Sequence, residues 1–259
     1  MEEKKNPLPK ISVIVAAYNE EKYILACLNS ILDQSFKDFE IIVVNDKSTD
    51  KTSEKVKALS EKNEKIFLLE QDTNGGRANA LNRGIKKARG KYIAFLDADD
   101  LMEEKRLEEQ YMFLKDNPKI SLVYSNFIQF GNEIDNKFIE AIKFTRDPYK
   151  IMRKSFEENL PDTTTPSQIL DENKFIPGGS IMMKKSLFEK GIKLDKNLRN
   201  SEDYDLWLQI IGKGYKIAKL PIIAFRYRRH KNQKSKNPEK MKLAASHILK
   251  KFREGKYFQ

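Results

Sequence analysis

The chain has 259 residues, of which 39% are hydrophobic and 34% are charged, a composition typical of a globular protein with a large polar surface. Its single cysteine, Cys27, excludes an internal disulfide framework. The sequence shows no apolar run of membrane-spanning length and no signal peptide in MEEKKNPLPK, so we expect one large cytoplasmic α/β domain.

The net charge of +11 is concentrated near the C-terminus. Residues 213–259 contain 15 Lys or Arg and 2 Asp or Glu, which leaves 34 basic and 36 acidic side chains for the rest of the chain. This asymmetry indicates attraction to polyanions such as nucleic acid, an anionic membrane or phosphorylated substrates. A lysine-rich solvated surface explains it equally well.

Short apolar runs alternate with helical patterns through the first hundred residues. Each run is rich in β-branched residues, which is typical of parallel strands buried on both faces. The predicted strands cover residues 11–17, 39–44, 66–69 and 91–96. The predicted helices carry Ile24, Leu28, Ile31 and Leu32, then Val56 and Leu59, then residues 80–88. In such α/β sheets ligands bind beyond the carboxyl ends of the strands, where Tyr18, Asp46 and residues 97–100 fall.

Three carboxylates follow the fourth predicted strand within four residues: Asp97, Asp99 and Asp100. Crowded carboxylates repel one another. A divalent cation removes that cost, because Mg²⁺-type ions take oxygen ligands and share them with substrate phosphates. An acidic helix cap explains the same residues without a metal.

Five ordered blocks resemble family 2 glycosyltransferases in register over residues 10–235. They are SVIVAAYNEEKYILACLNSILDQSFKDFEIIVVNDKSTDKT, NGGRANALNRGIKKARGKYIAFLDADD, FIPGGSIMMKKSLFEKG, SEDYDLWLQI and YRRHKNQKS. The resemblance implies the GT-A fold, with a mostly parallel central sheet flanked by helices. It implies a single domain over residues 1–235, with a nucleotide-binding half at about 10–101 and an acceptor half at about 102–235. A basic C-terminal helical tail, residues 236–259, would follow.

The resemblance also implies an inverting, metal-dependent transfer of a sugar from a nucleotide diphosphate, with UDP favoured, to a hydroxyl in a polysaccharide or lipid-linked glycan. Mn²⁺ or Mg²⁺ would be the cofactor. The expected partners are the donor and the glycan acceptor, with peripheral contact to the inner face of an anionic membrane and no nucleic acid. One alternative is a sugar-phosphate nucleotidyltransferase, which the absence of glycine in residues 16–20 disfavours. The other is a non-catalytic protein whose basic tail binds polyanions.

By the same resemblance, the nucleotide pocket would stack the base on an aromatic ring at the end of the first strand, a contact worth about 1–3 kcal/mol. A carboxylate after the second strand would accept the uracil N–H. The residues assigned to this pocket are Ala16, Tyr18, Glu20, Asp46, Arg77, Asn82, Asp97 and Ala98.

The resemblance assigns the metal to Asp99, with His230 as a further ligand, and the catalytic base to Asp203. Its neighbour Glu202 would orient the acceptor or raise the pKa of the base, although a helix N-terminus enriched in acids is the simpler explanation of Glu202. Donor-sugar and acceptor contacts are assigned to Gly178, Gly179, Trp207 and Arg228. Trp207 fits a core position better than a sugar platform, given its apolar neighbours.

Two stretches carry no functional assignment. Residues 131–175 are expected to form a hairpin and a loop over the acceptor side. The chain end, residues 254–259, has the E-x-x-Y-x-Q pattern of a protease-recognition tag, so we expect it to be a foreign remnant.

Overall fold

The computed structural model describes residues 8–131, 176–199, 201–230 and 238–257. The strands in these ranges are β1 Ile11–Ala17, β2 Phe39–Asn45, β3 Ile66–Glu70, β4 Tyr92–Asp97, β5 Leu101–Met102, β6 Ile120–Gly131, β7 Met182–Lys184 and β8 Lys216–Arg229. The helices are α1 Ile24–Leu32, α2 Thr52–Ser60, α3 Arg77–Lys87, α4 Arg106–Asp116, α5 Ser186–Glu189, α6 Glu202–Gly212 and α7 Pro238–Arg253. A single 3₁₀ turn, Gly178–Ser180, precedes β7.

The described strands form one sheet in the order β3-β2-β1-β4-β7-β6-β8-β5. The first four strands are parallel, and Ile11 of β1 pairs with Phe39 of β2 and Tyr92 of β4. β7 runs antiparallel to β4 and β6, β6 and β8 are parallel, and β5 is antiparallel to β8. The predicted α/β architecture with a mostly parallel sheet is therefore confirmed.

Alternate residues of the parallel strands feed two apolar clusters, one on each face of the sheet. In β1, Val13 and Val15 pack with α1, whereas Ile14 packs with α3. Because both faces are covered, these strands need apolar residues at consecutive positions. This requirement explains why they were readable from the sequence.

Element ends differ slightly from the predictions. β2, β3 and β4 each extend one residue further at the carboxyl end, into Asn45, Glu70 and Asp97. Helix α3 begins at Arg77 rather than at residue 80, directly after Gly76, whose φ of 85° ends the preceding turn. That left-handed conformation is accessible to glycine at little cost.

The long strand β8 carries the chain back to the acidic turn after β4. Leu101 pairs with Arg226 and Met102 with Phe225, so residues 226–230 lie alongside residues 99–102. The hairpin and loop expected over residues 131–175 fall outside the described residues from 132 onward. No helix in the described ranges has both the length and the apolar character needed to span a membrane.

The C-terminal segment packs into the fold. Ala244, Ile248 and Tyr257 are buried in the same apolar cluster as Leu206 of α6. Tyr257 has an exposed fraction of 0%, and its hydroxyl donates to Asp205 at 2.5 Å. Tyr257 therefore packs as a core residue of the fold, which is not expected of a foreign remnant.

The close contact of α3 with the sheet gives a stability prediction at Gly84. A Cβ on Gly84 would overlap Ile14 Cγ2 and lie 3.3 Å from Val44 Cγ2. Replacing glycine by alanine inside a helix gains about 1 kcal/mol, but overpacking costs about 1–3 kcal/mol. We expect Gly84→Ala to lower the free energy of unfolding, measured by urea denaturation.

The control is Lys86→Ala, because Lys86 is exposed on the same helix. We expect this variant to change the free energy of unfolding by less than about 0.5 kcal/mol. A Gly84→Ala variant as stable as the parent would contradict the close packing of α3 on β1.

Candidate active site

The carboxyl ends of β1, β2 and β4 lie side by side and define one edge of the sheet. The strands end at Ala17, Asn45 and Asp97. Immediately beyond two of these ends, Asn19 and Lys47 adopt left-handed φ angles of 58° and 62°. Such conformations are costly for residues other than glycine and cluster at functional sites.

Polar contacts join the loop after β1 to the loop after β2. The Asn19 N–H donates to Ser48 Oγ at 3.0 Å, and Asn19 Oδ1 accepts the Thr49 N–H at 2.8 Å. The Glu20 N–H donates to Thr52 Oγ1 at 2.8 Å. Sequence reasoning missed these side chains, which hold the two loops against each other at the end of the sheet.

The carboxylate of Asp46 organises the Gly-Gly turn. Its Oδ1 accepts the Gly75 N–H at 2.7 Å and Gln71 Nε2 at 2.5 Å, and its Oδ2 accepts the Gly76 N–H at 2.8 Å. Asp46 has an exposed fraction of only 3%. Both carboxylate oxygens therefore bind protein groups, so a contact with uracil would have to share them.

The other residues assigned to the base pocket lie at this edge. Tyr18 has an exposed fraction of 36%, so its ring is accessible for stacking. Ala16 is half-buried and pairs in register with Asp97. Glu20 is half-buried, and Ala98 is buried.

Arg77 connects the end of β4 to the start of α6. Its Nε lies 2.7 Å from Asp97 Oδ1, and its Nη1 lies 3.1 Å from Glu202 Oε1. Burial acts to lower the pKa of Arg77, but the carboxylates of Asp97, Glu202 and Asp203 outweigh it and raise that pKa. The guanidinium is therefore a permanent cation held among carboxylates, a role the sequence did not reveal when it assigned Arg77 to the nucleotide.

Asp203 differs electrostatically from Glu202, its neighbour at the start of α6. Glu202 is buried and ion-paired with Arg77. Burial, followed by the charge of Glu202, raises the pKa of Asp203 to about 6, although Arg77 and a hydrogen bond from the Tyr204 N–H oppose the rise. A carboxylate with a pKa near neutrality is suited to general-base chemistry. The preceding Ser201 has a left-handed φ of 59°.

The predicted Gly-Gly pair sits against these acids. A Cβ on Gly178 would lie 3.1 Å from Arg77 Nη2 and 3.1 Å from Asp203 Oδ2. A Cβ on Gly179 would lie 3.1 Å from the ring of Phe225 instead. Gly178 therefore allows close packing against Arg77 and Asp203, whereas Gly179 allows close packing in the core.

Asp99 and His230, predicted as metal ligands, are brought together across 131 positions of sequence. His230 Nε2 lies 2.9 Å from Asp99 Oδ2, and each side chain is 16% exposed. Burial and the charge of Asp97 raise the pKa of Asp99, partly offset by the hydrogen bond with His230. Asp99 precedes β5 and His230 follows β8, and the antiparallel pairing of these two strands brings the two residues together.

Arg228 holds the acidic turn in place. Its Nε donates to the Asp99 carbonyl oxygen at 2.7 Å, and its N–H donates to Asp100 Oδ1 at 2.8 Å. Its guanidinium lies 4.5 Å from the ring centre of Tyr23 and 4.3 Å from that of Phe130. These contacts support the turn, and the assignment of Arg228 to the donor sugar or the acceptor stays a prediction. Neither aromatic residue was singled out from the sequence.

Two further predicted site residues have structural contacts instead. Trp207 is 1% exposed and donates its indole N–H to the Ile176 carbonyl oxygen at 3.2 Å, so it cannot serve as an acceptor platform. The amide of Asn82 binds the backbone of Leu194 through both of its ends, at 2.8 and 3.1 Å. Its assignment to the nucleotide is corrected accordingly. Both side chains anchor segments that flank the cleft.

The donor set suits a divalent cation shared with a ligand. Within the described ranges no three His, Cys, Asp or Glu side chains are grouped to hold a metal by themselves. Asp99 and His230 offer one carboxylate and one imidazole, and Mg²⁺-type ions bind through one or two carboxylates plus substrate phosphates. The residues present therefore fit a metal whose remaining ligands come from a diphosphate.

The sequence profile of "Glycosyl transferase family 2" matches residues 12–192. Among curated proteins, an uncharacterized glycosyltransferase of Methanocaldococcus jannaschii is 35% identical over 223 residues, covering 85% of this chain and 71% of its own. The UDP-Glc:alpha-D-GlcNAc-diphosphoundecaprenol beta-1,3-glucosyltransferase WfaP of Escherichia coli is 31% identical over 244 residues, covering 93% of this chain and 85% of its own.

Two solved structures share the GT-A fold with this chain. The mannosyltransferase PcManGT of Pyrobaculum calidifontis, solved with GDP-Man and Mn²⁺, superposes with a TM-score of 0.71 at 22% identity, over 95% of this chain and 64% of that one. TarS of S. aureus, residues 1–349 with UDP, gives a TM-score of 0.67 at 22% identity over 92% and 64%. This chain thus spans about two thirds of each solved chain. On the match over residues 12–192, the chain belongs to glycosyl transferase family 2.

Proposed function

We propose that this protein is a metal-dependent, inverting glycosyltransferase that transfers a sugar from a nucleotide diphosphate to a hydroxyl of a polysaccharide or lipid-linked glycan. The observation that carries the proposal is the Arg77 bridge. It joins Asp97, two residues before the proposed metal ligand, to the acids at the start of α6. The donor-side and acceptor-side groups therefore face one cleft.

UDP is the donor nucleotide we favour. WfaP is named for UDP-Glc, and TarS was solved with UDP and with UDP-GlcNAc, whereas PcManGT was solved with GDP-Man. The exposed ring of Tyr18 would stack on the base. The turn held by Asp46 would shape the pocket wall without contacting uracil directly.

Asp203 is the proposed base. As the acceptor hydroxyl attacks the sugar carbon, the hydroxyl proton passes to Asp203, and the bond from that carbon to the diphosphate breaks. The absence of a side chain at Gly178 lets its backbone pack directly against Arg77 and the Asp203 carboxylate, which fixes where that carboxylate lies. Arg77 holds Glu202 and keeps the acidic pair charged and oriented.

Asp99 and His230 would hold the cation. A divalent ion there would neutralise charge that develops on the departing diphosphate. Arg228 and the β8 strand hold the turn that carries Asp99, which keeps the carboxylate in place when a ligand binds. Asp100 supports the same turn through its hydrogen bond with the backbone of Arg228.

Ligand-induced stabilisation tests the donor and metal assignments. We expect UDP with Mn²⁺ to raise the melting temperature, because a ligand at 100 times its Kd adds about 2.7 kcal/mol of stability. Asp99→Ala should remove the metal-dependent part of the shift. Differential scanning fluorimetry with UDP, GDP and their sugars measures both effects.

Asp203→Asn is the control, because it should keep the shift while losing about 10²–10⁴-fold in transfer rate. If no nucleotide diphosphate raises the melting temperature, and no nucleotide sugar is hydrolysed or transferred, the proposed function is wrong.

The raised pKa of Asp203 predicts the pH dependence of transfer. The base must be ionised to accept a proton, and its pKa is about 6. We therefore expect kcat to rise as pH increases through about 6 and to level off near neutral pH. Initial rates between pH 4.5 and 8.5, at saturating donor, measure the midpoint.

Stability gives an independent check of the same pKa. A carboxyl whose pKa rises from 3.8 to about 6 on folding contributes stability at low pH that is lost as pH increases through 6. Asp203→Asn should therefore melt above the parent at pH 8, and the difference should vanish near pH 4. Equal melting at every pH would mean that Asp203 has an ordinary pKa.

The close packing of Gly178 against Arg77 and Asp203 predicts an effect of substitution on kcat. In Gly178→Ala the new methyl group must displace Arg77 Nη2 or Asp203 Oδ2 by a few tenths of an ångström. We expect a fall in kcat of about tenfold or more, since small misplacements of catalytic groups are costly. Steady-state kinetics at fixed, saturating donor measures it.

Gly179→Ala is the matched control, because its methyl group meets Phe225 in the core instead. It should lower the melting temperature and leave kcat close to that of the parent. A Gly178→Ala variant with unchanged kcat would show that close packing of this glycine does not set the position of Asp203.

A further inference from the structure

Outside the cleft, the most deeply buried carboxylate on α6 is Asp205, two residues after Asp203. Its exposed fraction is 0%. Its Oδ1 accepts the Tyr257 hydroxyl at 2.5 Å and contacts Lys251 Nζ, and its Oδ2 accepts Gln209 Nε2 at 2.7 Å. The chain end therefore supplies a cation and a hydroxyl donor to the helix that carries the proposed base.

Lys251 also reaches a second carboxylate, that of Asp195, and is joined there by His247. Lys251 Nζ lies 3.3 Å from Asp195 Oδ2, and His247 Nε2 lies 3.5 Å from the same oxygen. The main chain also makes close contact, because a Cβ on Gly212 would overlap the carbonyl oxygen of Tyr257. Contacts at Asp205 and Gly212 place the C-terminal segment along α6 from its first turn to its last residue.

Asp205 also closes the first turn of α6. Its backbone N–H donates to the Ser201 carbonyl oxygen at 3.1 Å, across Glu202 and Asp203. Ser201 itself adopts a left-handed φ of 59°, so the surrounding contacts must hold this turn. Fixing the side chain of Asp205 thus constrains the backbone that presents Glu202 to Arg77.

We propose that Asp205, held by Lys251 and Tyr257, is a positioning residue that sets the orientation of the first turn of α6 and hence of Asp203. The inference rests on the proposed role of Asp203 and goes beyond it, because it assigns a functional role to residues 251–257. Removing one partner leaves a buried carboxylate incompletely satisfied, so the turn moves to regain hydrogen bonds. The C-terminal segment is then part of the acceptor half rather than an appended tail.

The test variant is Tyr257→Phe in the full chain, which removes one hydroxyl and keeps the ring. The first readout requires no turnover: amide hydrogen exchange of Tyr204 and Asp205. We expect exchange about tenfold faster than in the parent, because the first turn opens more often. The second readout is steady-state transfer, where kcat should fall about 10- to 100-fold while the KM for the donor stays within about twofold.

Ile248→Val is the matched control. Ile248 is buried on α7, in the same C-terminal segment as Tyr257, so this variant also loses stability. The proposal predicts that kcat and the amide exchange of Tyr204 and Asp205 stay as in the parent. The positioning role is overturned if Tyr257→Phe leaves exchange at those two amides unchanged, or if it only matches Ile248→Val. A parent protein that turns over no nucleotide sugar would contradict the proposed function, and the exchange comparison would still decide the role of Asp205.

Discussion

The proposed site depends on one partly buried cation. Asp97, Glu202 and Asp203 converge from strands and helices far apart in sequence, and their mutual repulsion would open the site if no positive charge lay between them. Arg77 supplies that charge through ion pairs of 2.7 and 3.1 Å. A planar guanidinium with several donors can serve two carboxylates at once, which a lysine ammonium does less well. Ion pairs of Arg77 therefore join the end of β4 to the start of α6 at the point where the proposed chemistry occurs.

A second constraint acts on the acidic turn after β4. A short antiparallel pairing, Leu101 with Arg226 and Met102 with Phe225, brings the end of β8 against this turn. Arg228 then binds the turn backbone, and His230 meets Asp99. Residues more than 120 positions away in sequence thus fix the geometry of the proposed metal ligands. Helix α6 is held in a comparable way, with Glu202 bound to Arg77 on one side and Asp205 bound to the C-terminal segment on another.

The sequence predicted the parallel half of the fold because strands buried on both faces must be continuously apolar. It also identified the pairing of Asp99 with His230, through a resemblance to a family rather than through local pattern. It could not predict the partners of Arg77, since an ion pair across 125 positions leaves no periodic signal. The resemblance assigned Asp46, Asn82, Trp207 and Arg228 to ligands, and in this structure each of them contacts other protein groups. The motif at the chain end says nothing about the burial of Tyr257, which only the fold reveals.

At the start of α6, the raised pKa that makes Asp203 a better base also makes its ionised form less stable. Asp203 would be more stable if it were solvated or fully paired, yet its pKa near 6 arises because burial and Glu202 disfavour its charge. Relieving that cost with a closer cation would lower the pKa and weaken the base. The fold instead assigns Arg77 to Glu202 and Asp97, packs Gly178 against Asp203, and anchors the helix from its other face through Asp205. The unfavourable ionisation of Asp203 is thus confined to one side chain, while the ion pairs of Glu202 and Asp205 on either side of it keep the backbone fixed.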